Sequence, residues 1–178
     1  CVLTHMEFER LLSGTGPTNG RLLRPVDGKP VKKIAFLQCV GSRDLKLEAD
    51  FCSTVCCMIS VKQAMLAKEK DAGVDTAIFY MDLRAVGLRF ERFCVQARHT
   101  HHVRFERSRV HSLWTAPGGI EPTVRHAAMD GRVRQETFDL VVLATGQRPA
   151  AGSEPLAELA GLQMNAWGFI QTGPFSSA

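Results

Sequence analysis

Four of the six cysteines in this 178-residue chain lie in one stretch, Ile34 to Met58, as Cys39, Cys52, Cys56 and Cys57. Their spacing is C-x12-C-x3-C-C. Four thiols brought together between a strand end and a helix start are the donor set of a metal or iron–sulfur site. Cys39 closes an apolar, β-branched-rich run, and the loop Gly41-Ser42-Arg43-Asp44 follows it. A helix beginning near Ser53 would stack Cys56 over Cys52 and put Cys57 about 100° further round. All three would then sit in the first turns, where free backbone N–H groups and the helix dipole favour thiolates. The spacing matches neither a common zinc finger nor a bacterial ferredoxin run, so it does not name the metal. The plain alternative is that the cysteines pack as small hydrophobes. A disulfide carries less weight, because adjacent cysteines pair only with strain and nothing marks the chain as secreted. Arg43 reads either as an offset to the charge of a thiolate-bound cluster or as a solvated loop residue.

The elements that must position these thiols follow from hydrophobic period. Ile34 to Val40 is a nearly continuous apolar strand, as in a parallel sheet buried on both faces. A helix from about Ser53 to Lys70 follows, with Val55, Met58, Ile59, Met65 and Leu66 as its apolar face. Thr76 to Met81 is a second apolar strand. Leu88 to Arg98 is helical, with Phe90, Phe93, Cys94 and Ala97 inward, so Cys94 belongs to the core face. Val103 to Arg107 alternates as a strand. Three short antiparallel strands come next, near 110–114, 123–129 and 133–138, joined by Pro117-Gly118-Gly119 and by Asp130-Gly131. Leu140 to Thr145 is another buried strand, and Glu154 to Leu162 a short helix. Phe169 to Thr172 reads as a last strand. At the N-terminus, Thr4 and Glu7 form a capping box for a helix ending near Leu12. The order implies a Rossmann-like α/β fold, a parallel sheet with a three-stranded antiparallel insertion.

Composition narrows the function. Hydrophobic residues make up 45% and charged residues 22%, which supports a real core in a soluble protein. The net charge of +4 is mild, and no basic cluster is interleaved with aromatics, so nucleic acid is not expected. No apolar run is long enough to span a membrane. The thiol array argues for a reducing compartment, hence a cytoplasmic location. The first residue is Cys and the last residues stop abruptly, so the chain reads as a piece of a longer protein. His99, His101 and His102 lie between a helix end and a strand, where solvated polar residues are ordinary. No Ser-His-Asp order or carboxylate pair supports hydrolysis. A dinucleotide-binding strand would end in G-x-G-x-x-G, but here it ends in Gln38-Cys39-Val40-Gly41-Ser42-Arg43. The cysteines occupy the place where phosphates would sit. Tight NAD(P)H binding is therefore not expected.

The runs EFERLLSGTGPTNGRLLRPVDGK, IAFLQCVGSRD, FCSTVCCM, SVKQAMLAKEK, IFYMDLRA and DLVVLATGQRP resemble the A subunit of heterodisulfide reductase, from about Met6 to Thr172. The resemblance implies an iron–sulfur flavoprotein with a thioredoxin-reductase-like core, FAD and several [4Fe-4S] clusters. One cluster would be ligated by Cys39, Cys52, Cys56 and Cys57. Electrons would pass between a donor protein, FAD and partner subunits of the B and C kind, or through a related electron-transfer complex. In that frame residues 1–30 are the end of an FAD-domain segment and a linker. Residues 31–146 are the NAD(P)-type, Rossmann-like domain of a two-dinucleotide-binding flavoprotein. Residues 147–178 begin a truncated return to the FAD domain. Gly146, at a strand end, is the candidate for close backbone approach to FAD. The FAD-binding glycine loop and the ferredoxin-type C-x2-C-x2-C runs of that family are absent from this chain. Two other classes use the same residues: a zinc-stabilised structural module, and a pyridine-nucleotide-dependent thiol/disulfide reductase.

Overall fold

A computed structural model describes residues 1–173. The chain divides into two compact units. The first comprises Cys1–Val40 and Thr54–Thr145, the second Gly41–Ser53 and the segment from Gly146 onward.

The first unit is built on a five-stranded parallel sheet in the order β1-β8-β2-β3-β4. Its strands are β1 (Val2–Thr4), β2 (Lys33–Val40), β3 (Asp75–Tyr80), β4 (Arg104–Arg107) and β8 (Leu140–Thr145). β2 is central. It pairs in parallel with β3 through Lys33–Leu37 and with β8 from Ile34 onward. The continuous apolar runs of β2 and β8 are what a strand covered on both faces requires. Ile34, Phe36 and Val142 enter a core beneath the helices, while Ala35, Leu37 and Val141 enter a second core on the other face.

Three helices cover the first face: α1 (His5–Leu12), α2 (Cys56–Lys70) and α3 (Phe90–His99). The expected capping box starts α1, with Glu7 N–H donating to Thr4 Oγ1 and Thr4 N–H donating to Glu7 Oε2. α1 docks on α2 through polar links as well as through Phe8 and Leu11. Gln63 Nε2 donates to the His5 carbonyl at 2.7 Å and to Glu9 Oε2 at 2.9 Å, and Lys62 pairs with Glu9. The second face is covered by the expected antiparallel sheet of β5 (Val110–Thr115), β6 (Pro122–Ala127) and β7 (Val133–Thr137). Val124 and Phe138 from this layer meet Leu37 and Phe79 of the parallel sheet.

In the first unit the structure departs from the sequence reading at several elements. Val2–Thr4 adds an edge strand that three residues could not announce. α2 starts at Cys56, not near Ser53, because Thr54 is left-handed at φ 59° and breaks the helical path. Its buried face is Ser60, Val61, Ala64, Met65 and Ala67, with Val55 exposed. Small side chains let the helix lie close to the sheet; of the apolar stripe read from the sequence, Met65 is core and Met58 and Leu66 pack at its edge. On α3 only Cys94 and Ala97 are buried, and Phe90 is 41% exposed. Phe90 folds back over Gly87, where an added Cβ would stand 2.9 Å from the ring.

In the second unit the described regular elements are a 3-10 turn at Leu45–Leu47 and α4 (Ser153–Leu159). The strand expected at Phe169–Thr172 is not formed. A single bridge joins Met164 and Ile170. Phe51 packs edge-on against Phe169, and Trp167 Nε1 donates to Asp50 at 2.6 Å. No helix among the described residues is long and apolar enough to cross a membrane.

The two sheets of the first unit are tied by Glu136 of β7. It accepts from Arg104 of β4 at 2.6 Å and pairs with Lys33 of β2 at 2.7 Å. Burial pushes the Glu136 carboxyl up, but the hydrogen bonds and charges of Arg104 and Lys33 outweigh it and hold it below the ordinary range. A depressed carboxylate stabilises the fold above its unfolded pKa and loses that contribution as pH falls through the folded one. Glu136→Gln is expected to cost about 1–2 kcal/mol at neutral pH. In urea unfolding at a series of pH values, the gap to wild type should close in acid. A constant gap would show that the charge is not what matters.

Candidate metal centre

Three of the four thiols belong to the first unit and stand at one end of its parallel sheet. Cys39 is the penultimate residue of β2. Cys56 and Cys57 open α2 and are 8% and 7% exposed. The Cys56 thiol donates to the carbonyl of Thr145, the last residue of β8, at 3.6 Å. The Cys57 thiol reaches the carbonyl of Asp82, just past β3, at 3.9 Å. Cys39, Cys56 and Cys57 thus share the carboxyl end of the strands, the place where open α/β sheets hold ligands.

Two local features aim these groups. β2 and β8 lose register between Leu37 and Val40, so β2 carries an extra residue there. Cys39 sits in this bulge with φ 60°, in the left-handed region. Leu37 and Val40 both pack into the core of the second face, although they are three residues apart. A regular strand would put Cys39 on the same face as Leu37; the bulge turns it out of that series. No sequence signal announces this, because the left-handed residue is a cysteine and not a glycine.

The second feature is the bare start of α2. Its N-cap is Val55, no side chain caps it, and its first turn holds no acidic residue. The positive end of the helix is therefore left to Cys56 and Cys57, which suits thiolate sulfur. Cys52 lies outside the helix, so the expected stacking of Cys52 and Cys56 one turn apart does not occur. Cys52 belongs to the second unit, four residues before Cys56 in the chain.

The other singled-out residues behave differently. Cys94 is buried in the helix-side core, its sulfur 3.9 Å from Met58 Sδ. Burial pushes its thiol up, only partly countered by Arg98. His99 and His102 are exposed. Among the described residues no group of three or more His, Cys, Asp or Glu is gathered in the manner of a single-ion site. Gly146 is hemmed in by its own unit. An added Cβ would stand 2.8 Å from the Gly41 carbonyl and 2.9 Å from Ser42 Cβ. Gln147 N–H also donates to Ser53 Oγ at 2.8 Å. The close approach at this glycine is to the chain's own loop.

No protein-family model matches the chain. Individual proteins do. The A subunit of the H(2):CoB-CoM heterodisulfide,ferredoxin reductase of Methanothermobacter thermautotrophicus is 38% identical over 95% of this chain. The A subunit of the ferredoxin:CoB-CoM heterodisulfide reductase of Methanosarcina mazei is 39% identical over 90%. The chain is homologous to part of the heterodisulfide reductase A subunit. The iron-sulfur A subunit of the CoB--CoM heterodisulfide reductase of Methanocaldococcus jannaschii is 36% identical over 96%. The match spans 26%, 20% and 26% of these three proteins, respectively. Among solved structures, LpdA from Mycobacterium tuberculosis aligns over 80% of this chain and 26% of its own. That likeness has a TM-score of 0.40 at 17% identity, too loose to carry function.

Within this homologous segment, the thiols fit a sulfur-rich inorganic group better than a carboxylate-loving ion. All the candidate donors are soft, and the helix end beside two of them offers positive charge without a competing acid. The left-handed Cys39 carries a cost that can be measured. A residue with a Cβ in that region loses about 1–2 kcal/mol, of which glycine's chain entropy returns part. Cys39→Gly is expected to be more stable than Cys39→Ala by about 1 kcal/mol in denaturant unfolding of metal-free protein. Equal stabilities would mean that the bulge relaxes in the absence of metal.

Proposed function

We propose that this chain is the electron-relay segment of an iron–sulfur flavoprotein oxidoreductase like heterodisulfide reductase. In this reading Cys39, Cys52, Cys56 and Cys57 hold one [4Fe-4S] cluster. The observation that carries it is the placement of Cys39, Cys56 and Cys57 at the carboxyl end of the sheet, two of them in the uncapped first turn of α2. The relatives' names add support, since one of them is an iron-sulfur protein by name. When bound, the cluster would accept and release single electrons, with no open iron position for substrate.

The chain's own residues then have defined tasks. The bulge at Cys39 presents a thiolate from the sheet, and the first turn of α2 presents two more beside the positive end of the helix. Cys52 supplies the fourth from the loop that precedes the helix. The sheet and its two cores fix the strand ends and exclude water from behind the thiols. FAD belongs, in this proposal, to the longer protein, with residues 147–178 beginning the return to its domain. The electron donor is a separate protein, and the acceptors are subunits of the B and C kind.

Anaerobic reconstitution is expected to give about four irons and four sulfides per chain. Electron paramagnetic resonance should then show a reducible centre. Serine at any of the four positions should lower iron content or alter the signal. Cys94→Ser should leave it intact, since that thiol is packed in the core. Zinc alone in the site after anaerobic purification, or loss of the centre in Cys94→Ser, would overturn the assignment.

A further inference from the structure

Gln38 immediately precedes Cys39, and both lie in the irregular stretch of β2 between Leu37 and Val40. Its amide Nε2 and Oε1 are both buried, and neither has a hydrogen-bond partner. Among the described residues it is the sole side-chain amide buried and unpaired at both ends. Native interiors pair such groups almost without exception, so an orphaned amide marks a place where another group belongs. Five other buried side chains among the described residues, His5, Ser60, Gln63, Thr76 and His126, each leave one polar atom unpaired; Gln38 leaves two.

Its direction follows from the pleat and the bulge. Ile34 and Phe36 share a core with Val61, Ala64 and Met65 of α2, whereas Ala35 and Leu37 belong to the opposite one. Leu37 and Val40 flank Gln38 and Cys39 and both pack on the second face, which leaves this pair to the face that α2 covers. At that height the neighbouring strand ends in Thr145, the register partner of Val40, whose carbonyl receives the Cys56 thiol. Gln38 thus lies at the end of the sheet shared by Cys39 and Cys56.

We infer that Gln38 Nε2–H donates a hydrogen bond to a thiolate or inorganic sulfur of the group held by Cys39 and Cys56, and raises its reduction potential. This rests on the four-cysteine cluster reading. Reduction adds one electron's charge to the cluster without forming or breaking a bond. A donor aimed at its sulfur stabilises the more negative form. The amide cannot titrate, so its effect is independent of pH.

The test compares wild type with Gln38→Leu in an EPR-monitored redox titration, with dithionite as reductant. The variant is expected to keep its iron and sulfide content. It should be roughly tenfold harder to reduce, a midpoint lower by about 59 mV for a one-electron couple. It should also lose an exchangeable-proton hyperfine coupling that wild type shows in H2O and not in D2O. A merely structural role for Gln38 would leave both readouts in place. Gln38→Met, closest to the native length, gives the same comparison should the leucine variant assemble less cluster. An unchanged midpoint and an unchanged coupling overturn the inference. A wild-type protein that takes up no iron and sulfide overturns the cluster reading instead, and this inference with it.

Discussion

Burial of β2 on both faces is the constraint on which the rest of the first unit depends. The strand hydrogen-bonds to β8 on one side and β3 on the other. Its side chains feed two cores by turns, Ile34 and Phe36 to one and Ala35 and Leu37 to the other. Each such side chain contributes about 1.5–3 kcal/mol when fully buried, so a one-residue slip would forfeit both cores together. That rigidity fixes where the strand stops. The chemistry-bearing residues begin where the apolar alternation ends, at Gln38 and Cys39.

Most of the fold is legible in the sequence because its strands are apolar runs of the right length. Ile34 to Val40 and Leu140 to Thr145 read as buried parallel strands and pair with each other directly. The antiparallel insertion is legible from Pro117-Gly118-Gly119 and Asp130-Gly131, whose glycines at 118 and 131 take φ 73° and 78°. Finer detail escapes the pattern. A helix packed closely on a sheet prefers Ser60, Ala64 and Ala67 at its contact, and small residues leave little hydrophobic signal. The helix starts later than the letters suggest because Ser53 and Thr54 look like caps. Here Ser53 serves the turn at Gln147, and Thr54 takes a left-handed conformation. The run near Phe169 forms no strand because its aromatic residue packs on Phe51 rather than into a ladder.

The candidate site is legible as a composition and not as a geometry. Four cysteines in one stretch announce themselves, yet nothing in the letters says that Cys39 sits in a bulge or that Gln38 keeps a buried amide. Both features are violations of local rules. A β-carbon residue is held left-handed, and an amide is buried unpaired, at adjacent positions of a strand that is otherwise regular. A third violation lies beside them in the same unit, a fifteen-residue helix that starts without a cap.

Each of these carries a cost of order 1 kcal/mol or more if nothing answers it. Sequences that fold well agree with themselves at every level, and the exceptions gather at functional sites. The costs are also of one kind. An uncapped helix start wants an anion, an amide N–H wants an acceptor, and a left-handed cysteine puts its sulfur where a regular strand would not. A negatively charged, sulfur-rich acceptor answers all of them at once, whereas a packed apolar side chain answers none. In the reading proposed here, buried hydrophobic cysteines are the poorer account of this corner. Cys94 shows the contrast within the same chain: it is buried in the middle of a helix, against Met58.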